Sequence, residues 1–313
     1  MNEKESSHFL FGPVPSRRLG LSLGVDLNPR KVCCEDCVFC QVAPTTELTV
    51  ERKEWVPTAA VLAELDRWKA AGGRADFITL AGSGEPTLHT GFGDVLRHAG
   101  GWPDGQTALL SNGALMWMPE VRREALAADV VKVTLSAWDE ESFRRLHRPA
   151  AGLSFEKLVG GERALREEFG GALWVEVMLL PGYNDAPEQV RRIADQVNRL
   201  QADAVHLNTA TRPARAGEMV QAVSAERLET LAGHFAPVAE IPVFTGRTES
   251  PLVLSDDAIV EMVARHPLAL DAFARSGGIP LERLEERLAP LVRQGRVALD
   301  EENGTRTIRA VPL

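Results

Sequence analysis

The sequence predicts an α/β fold in which six βα units build a parallel sheet. Short aliphatic and β-branched runs alternate with amphipathic stretches between about residues 21 and 235. With 313 residues, 44% of them hydrophobic and 25% charged, the chain can bury a sizeable core. From about residue 254 the alternation gives way to clustered helices and two short strands, which indicates a second, smaller domain.

The strands and helices of the larger part follow from their periodicity. The predicted strands cover 21–26, 77–82, 107–112, 130–136, 173–180 and 204–209, with a further short strand at 241–245. The predicted helices cover 58–71, 91–99, 119–127, 155–169, 187–200 and 224–235. Several of these helices begin with proline or with an acidic or hydroxyl residue, which are favoured at a helix N-terminus.

The C-terminal segment predicts a winged-helix-like module. Two sets of aliphatic residues lie at helical spacing, and residues 296–299 and 306–310 form a hairpin around Asn303-Gly304. Such modules often bind DNA, but residues 254–313 contain ten acidic residues and eight arginines, which gives a net charge of -2. A structural or protein-docking role is therefore favoured over DNA binding.

All four cysteines of the chain lie in one segment, at positions 33, 34, 37 and 40. This crowding, the length of the chain and the polar N-terminus disfavour structural disulfides, and two adjacent cysteines suit a tetrahedral zinc site poorly. Three thiolates fit an iron-sulfur cluster that keeps one iron open to a ligand. The first ligand is either Cys33, giving C-x3-C-x2-C, or Cys34, giving C-x2-C-x2-C, and the spacing alone leaves both possible.

Polar and glycine-rich residues follow the ends of the predicted strands. The second strand ends in Gly82-Ser83-Gly84-Glu85, the third in Ser111-Asn112-Gly113 and the fourth in Ser136. Active sites of (β/α) barrels form at the C-terminal ends of the strands, so we expect these residues to share one rim with the cysteine segment. Taken alone, each of them is equally compatible with a turn or a helix cap.

Composition excludes several other functions. A net charge of -9 gives no broad positive field for nucleic acids, and no apolar run reaches the ~20 residues of a membrane span. Free thiols without a signal segment predict a reducing, cytoplasmic setting. Neither a G-x-S-x-G nor a G-x-x-x-x-G-K motif occurs, which disfavours hydrolysis by a serine triad and phosphate binding by a P-loop.

The cysteine segment, the Gly-Glu turn and the six βα units together resemble the radical SAM (S-adenosylmethionine) superfamily. The cysteine motif has an aromatic residue, Phe39, before its last cysteine, and the segment Gly12-Pro-Val-Pro-Ser-Arg-Arg-Leu-Gly20 precedes it. These features are similar to a subgroup of iron-sulfur oxidoreductases related to the tRNA wyosine-synthesising radical enzymes. The resemblance implies a partial (β/α)6 TIM-like barrel over residues 1–250, with an N-terminal extension, and a winged-helix-like domain over 251–313.

The resemblance also implies the cofactors and their ligands. A 4Fe-4S cluster would be bound by Cys33, Cys37 and Cys40, and SAM would chelate the fourth iron. Phe39 would lie near adenine, Gly82, Ser83, Gly84 and Glu85 would receive the methionine ammonium group, and Asn112 and Ser136 would lie near the ribose or carboxylate. Position alone adds eight candidates for substrate contact: Arg17, Arg18, Tyr183, Asn184, Asp185, Asn208, Arg212 and Arg215.

The expected reaction is reductive cleavage of SAM followed by hydrogen abstraction from a small molecule, a tRNA or a protein. An external electron donor is expected as a partner, and catalytic residues other than the cluster ligands are not identified. Two alternatives remain at this stage: a DNA-binding or redox-sensing regulator that uses the C-terminal module, and an activase that acts on a partner protein. The chain has no cysteines for the second cluster of wyosine-forming relatives, and its acidity weakens a tRNA substrate.

Overall fold

The computed structural model places the six predicted strands side by side in one parallel arrangement. It describes residues 9–16, 18–40, 42, 44–103, 105–210 and 222–242, and in the C-terminal part residues 256, 259–260, 263, 268–276, 279–302 and 305–311. The strands are β1 (Leu10–Ser16), β2 (Gly20–Val25), β3 (Val32–Cys33), β4 (Glu47–Leu48), β5 (Phe77–Leu80), β6 (Gln106–Leu110), β7 (Val130–Thr134), β8 (Ala172–Leu179), β9 (Ala204–Thr209), β10 (Leu268–Ala269), β11 (Val297–Glu302) and β12 (Thr305–Ala310).

Helices follow most of the parallel strands and cover the outer face of the sheet. They are α1 (Thr58–Ala70), α2 (Phe92–Gly100), α3 (Pro119–Ala125), α4 (Glu140–His147), α5 (Phe155–Glu168), α6 (Pro187–Arg199), α7 (Ala225–Ala232), α8 (Leu270–Ser276) and α9 (Leu281–Arg293). Several start where the sequence provides a cap: Ser154 and Ser224 accept from the backbone amides of Lys157 and Arg227, and Asp139 forms a capping box with Ser142.

The main sheet has seven strands in the order β1-β2-β5-β6-β7-β8-β9 among the described residues. Strands β2 to β9 pair in parallel, and each of the six predicted strands lies within two residues of its expected bounds. The α/β prediction is therefore confirmed, with a mostly parallel sheet as in a partial barrel. The first and last strands of the sheet are not paired with each other.

Strand β1 was not predicted. It contains Pro13 and Pro15, which cannot donate to a ladder and so argue against a strand. The structure accommodates both prolines because β1 lies at the edge of the sheet, antiparallel to β2, with a register shift between Phe11 and Val14. Proline positions alone do not distinguish an edge strand from a loop.

The C-terminal part has its own apolar core. Strands β10, β12 and β11 form an antiparallel sheet, and the last two are the predicted hairpin strands. Leu284, Leu288 and Leu291 of α9 are buried against Phe273 of α8, and Val14 of β1 packs on this cluster. Residues 243–255 and 303–304 lie outside the described residues, and so does most of the strand predicted at 241–245. Within the described part of the chain, no helix is both long and apolar enough to cross a membrane.

Candidate functional site

A cavity of about 450 Å³ opens at the C-terminal ends of the parallel strands. Eight of the ten residues predicted to bind the cluster or SAM line it: Cys33, Cys37, Phe39, Cys40, Gly82, Gly84, Glu85 and Asn112. The rim that the strand ends predicted is thus present. Two predicted residues, Ser83 and Ser136, are not part of the lining.

The cysteine segment is fixed by its backbone to the end of α4. The amides of Asp36 and Val38 donate to the carbonyls of His147 and Leu146, at 3.0 and 2.9 Å. The amide of Ala150 donates to the carbonyl of Cys34 at 2.9 Å. These three backbone hydrogen bonds fix the loop, so its side chains are held in one arrangement, as a preorganised ligand set requires.

The four cysteines have different surroundings. Cys33, Cys37 and Cys40 line the cavity, whereas Cys34 is fully buried outside it, with the Asn112 side-chain amide 3.2 Å from its sulfur. A hydrogen bond from Cys34 and the charge of Lys31 lower the pKa of Cys33 against the effect of burial. Burial, reinforced by Cys33, raises the pKa of Cys34 well above its usual value. Cys33 is therefore favoured as the thiolate and Cys34 as the thiol.

Lys31 supplies positive charge beside the cysteines. Burial alone would lower the pKa of Lys31, but the negative charges of Cys33 and Cys40 outweigh burial and raise it above its usual value. Lys31 also lines the cavity. It stays charged over the whole working range of pH and favours thiolates at this end of the cavity.

Cys37 lies against a buried Glu35–His147 pair. Its sulfur is 3.2 Å from Glu35 Oε2, and His147 Nδ1 is 3.0 Å from the same oxygen. Burial, together with the charge of Glu35, raises the pKa of Cys37 well above its usual value. The donor atoms of the three residues lie within 4.8 Å of one another, so they also satisfy the geometry of a small metal site. His147 belongs to none of the sequence motifs, and only the fold brings it to Glu35.

The Gly82-Ser83-Gly84 turn is packed against the loop that carries the cysteines. Gly82 has a φ of 146°, and a Cβ atom on Gly84 would lie 1.9 Å from the carbonyl oxygen of Val32. The backbone amide and the hydroxyl of Ser83 both donate to Asp26, at 3.0 and 2.6 Å. The glycines are thus required by close approach, and Ser83 holds the turn in place.

Glu85 is buried and accepts four internal hydrogen bonds, three at Oε1 and one at Oε2. Its carboxylate accepts from the backbone amides of Thr87 and Asn112 and from the hydroxyls of Thr87 and Ser111, at 2.6 to 3.1 Å. Burial nevertheless raises its pKa above the usual value, because desolvation outweighs these four bonds. The carboxylate ties the ends of β5 and β6 together beside the cysteines.

The side chains of Ser136 and Asn184 form hydrogen bonds with backbone groups. The Ser136 hydroxyl accepts from the Met178 amide at 2.9 Å, and Asn184 donates to the carbonyls of Ser136 and Met178. Both side chains are fully buried. Tyr183, Asn184 and Asp185 do not line the cavity, and Arg17, Arg212 and Arg215 lie outside the described residues.

A charged cluster occupies the inner end of the cavity. Glu176 Oε2 is 2.6 Å from Lys132 Nζ, and Glu176 Oε1 accepts from Arg18 at 2.7 Å and from Asn208 at 2.8 Å. All four side chains line the cavity. Sequence reasoning named Arg18 and Asn208 but missed Lys132 and Glu176. The available signal was a charge in the middle of each of two otherwise apolar strands, which are buried on both faces in a parallel sheet.

The chain has relatives among known proteins. The family model described as "Radical SAM superfamily" matches residues 27–197. A protein of Brachyspira hyodysenteriae named "GTPase Obg" is 30% identical over 94% of this chain, which spans 44% of that protein. A UPF0026 protein of Methanocaldococcus jannaschii is 34% identical over 65% of this chain, which spans 64% of that protein. The chain thus spans less than two thirds of either relative.

Among solved structures, a radical SAM methyltransferase from Sphaerobacter thermophilus has a similar fold. It is 20% identical and has a TM-score of 0.50, and the match covers 71% of this chain and 64% of that one. At this level of identity the likeness concerns the fold alone.

Proposed function

The chain belongs to the radical SAM superfamily, and we propose that it is an enzyme that uses a 4Fe-4S cluster and SAM, with Cys33, Cys37 and Cys40 as the cluster ligands. The observation that carries this proposal is that these three cysteines line one cavity, whereas Cys34 is buried outside it. Iron-sulfur clusters are bound by thiolates, and three protein ligands leave one iron open. The donor set in the cavity therefore suits the cluster.

The surroundings of the cysteines support the same assignment. Lys31 balances thiolate charge, and the Asn112 amide lies 3.6 Å from the Cys33 sulfur. The raised pKa of Cys37 is compatible with this role because binding of a metal removes the thiol proton. Once that proton has left, His147 remains as the partner of the Glu35 carboxylate.

We assign the SAM contacts to the rim between the cysteines and the strand ends. Phe39 would contact adenine, Gly82, Gly84 and Glu85 would receive the ammonium group, and Asn112 would lie near the ribose or carboxylate. Ser83 and Ser136 would act through the backbone, since their hydroxyls are bonded to Asp26 and to the Met178 amide. The close backbone approach that the two glycines allow supports this arrangement.

The proposed reaction is a hydrogen abstraction. The cluster, held by Cys33, Cys37 and Cys40, would supply one electron from an external donor for the cleavage of SAM at the bond between its sulfur and its 5′ carbon. This chemistry would release methionine, and the 5′-deoxyadenosyl group would take one hydrogen atom from the substrate, leaving 5′-deoxyadenosine and a substrate radical. The chain itself contributes the cavity that would hold and orient these groups and the substrate.

Reconstitution of the purified protein tests this function. Anaerobic addition of iron and sulfide should yield ~4 iron and ~4 sulfide per chain, and dithionite should then release 5′-deoxyadenosine from SAM. Cys37→Ala should lose both properties, while the matched control Cys34→Ala should keep them. Cleavage of SAM by the Cys37 variant at the wild-type rate would refute the proposal.

For the C-terminal part we propose a winged-helix-like domain over residues 251–313 that covers the open side of the barrel. Two helices, an antiparallel sheet of three strands and a separate apolar core support it. Phe273 of α8 lines the cavity, so the domain contributes to the substrate site. Removal of the Phe273 ring by Phe273→Ala should alter substrate turnover while leaving dithionite-driven SAM cleavage intact.

A further inference from the structure

The inner end of the cavity carries more positive than negative charge. Arg18 and Lys132 are only 16% and 11% exposed, and they share the single carboxylate of Glu176. Buried charges are costly unless each is paired. Two cations around one carboxylate leave one positive charge without a counter-charge at this end of the site.

Among the described residues that line the cavity, no other carboxylate contacts the two cations. Leu19, which lines the cavity beside them, packs in an apolar cluster with Ala108 and Val130. The other carboxylates of the described lining are those of Glu85 and Glu35, and the charge of Glu85 acts on Lys132 more weakly than that of Glu176. Glu85 is engaged by four hydrogen bonds, and Glu35 by Cys37 and His147.

The side chains alternate along the strands in a way that presents these charges to the interior. Trp174, Glu176 and Met178 are alternate residues of β8 and all line the cavity. Lys132 lies opposite Trp174 in the parallel register of β7 and β8. Charges at such positions face whatever fills the barrel, because alternate residues of a strand share one face.

We propose that the inner end of the cavity binds an anionic group of the substrate, a carboxylate or a phosphate, through Arg18 and Lys132. Glu176 and Asn208 hold the two cations in position, and the apolar wall of Trp174 and Phe11 contacts the rest of the substrate. This proposal rests on the proposed radical SAM function, since it names the class of molecule on which that site acts. It favours a small anionic metabolite over a neutral substrate.

The carboxylate of SAM offers the same chemistry, so the experiment has to separate the two sources. Malonate and inorganic phosphate serve as probes, with the neutral diamide of malonate as a reference. Their affinities are measured by calorimetry on anaerobically reconstituted protein without SAM, and the SAM affinity is measured separately. Arg52→Met is the matched control, because Arg52 forms a 2.6 Å ion pair with Glu124, is 12% exposed and does not line the cavity.

We expect the wild type to bind at least one of the two anions and not the diamide. Arg18→Met and Lys132→Met should each weaken that binding about tenfold or more, the effect of losing one charge-assisted hydrogen bond. Arg52→Met should leave it unchanged. Glu176→Gln, which removes the competing carboxylate, should strengthen it, a result that misfolding cannot produce.

Three results would overturn the proposal. The wild type binds neither anion, Glu176→Gln binds no more tightly than the wild type, or the Lys132 variant loses SAM affinity in parallel with malonate affinity. The last result would assign the cations to the SAM carboxylate. Failure of the proposed function is distinguishable, because a protein without SAM cleavage would still show the anion binding and its dependence on Arg18.

Discussion

Replacement of Glu176 by glutamine tests the energetics of the charged cluster directly. In the wild type its carboxylate accepts from Lys132, Arg18 and Asn208 at 2.6, 2.7 and 2.8 Å. Burial alone would raise the pKa of Glu176, but the charges of Lys132 and Arg18 outweigh burial and hold it well below the usual range. Glutamine keeps the shape and one acceptor oxygen, removes the charge and replaces the second oxygen with an NH2 donor.

The magnitude follows from the contacts that lose their charge. A hydrogen bond between two charged groups exceeds a neutral one by about 1 kcal/mol, so the two cationic contacts lose about 2 kcal/mol. The amide NH2 group also takes the place of one acceptor oxygen, so one buried donor loses its partner, which adds about 1 kcal/mol. We therefore expect the free energy of unfolding to fall by about 3 kcal/mol, at the lower end of the range for a broken buried pair.

Urea unfolding of the reduced apoprotein, followed by circular dichroism, measures this loss. A carboxyl group whose pKa is depressed in the fold stabilises the folded protein fully at a pH above its unfolded pKa of about 4.3. This stabilisation is lost as the pH falls from there towards the folded pKa. The deficit of Glu176→Gln should therefore be complete between about pH 6 and 8 and smaller at about pH 4. Adding Lys132→Met should recover part of the loss, because the unpaired cation is removed.

A deficit under about 1 kcal/mol at pH 7, or one that does not shrink as the pH falls below about 4, would contradict the role assigned to Glu176. Glu124→Gln provides the comparison outside the cavity. Its partner is the single cation Arg52, its side chain is 25% exposed, and burial raises its pKa despite that cation, so we expect a loss of less than about 1 kcal/mol. A loss equal to that of Glu176→Gln would mean that the shared carboxylate has no special role.

Two further predictions concern the surroundings of the cysteines. Gly84→Ala would place a Cβ atom 1.9 Å from the Val32 carbonyl oxygen. It should therefore lower the iron content after reconstitution about twofold or more, and the free energy of unfolding by about 1–3 kcal/mol. Gly160→Ala is the control, because the space around Gly160 is open. Burial, with a contribution from Glu35, raises the pKa of Glu162 well above its usual value, and neither carboxylate oxygen has a hydrogen-bond partner among the described residues. A carboxyl group whose pKa is raised in the fold makes the folded protein less stable as the pH rises above its unfolded pKa. Glu162→Gln should therefore gain stability relative to the wild type as the pH rises from about 4.5, as measured by urea titrations of the apoprotein. A difference that does not change with pH would contradict that assignment.

The sequence was sufficient for the parallel strands because their signal is local. Strands such as β7 and β8 are apolar runs bounded by turn residues, and they lie within two residues of their predicted bounds. The rim residues Gly82, Gly84 and Asn112 could also be predicted, since parallel strands end at the same edge. Both inferences depend only on residues that are close together in the chain.

Features that depend on distant residues could not be predicted. Cys37 and His147 are 110 positions apart, and Arg18 and Glu176 are 158 apart, so no local pattern connects them. Ser83 and Ser136 illustrate the converse case. Each follows a strand where a ligand contact is expected, yet each hydroxyl is bonded to the protein itself, to Asp26 or to the Met178 amide. The partner of each hydroxyl depends on the packing of residues that are distant in the chain, so the neighbouring sequence does not predict it.

The two ends of the cavity carry different charged groups. At the cysteine end, Lys31 favours the thiolate of Cys33 and so a bound cluster. At the inner end, Arg18 and Lys132 favour an anion. A substrate held by its anionic group at Arg18 and Lys132 would direct its other end towards the cysteines, because both sets of residues line one cavity. The hydrogen atom that is removed should therefore lie on the part of the substrate furthest from its charge. This orientation follows from the placement of the charges alone, and a substrate whose reacting carbon is adjacent to its anionic group would contradict it.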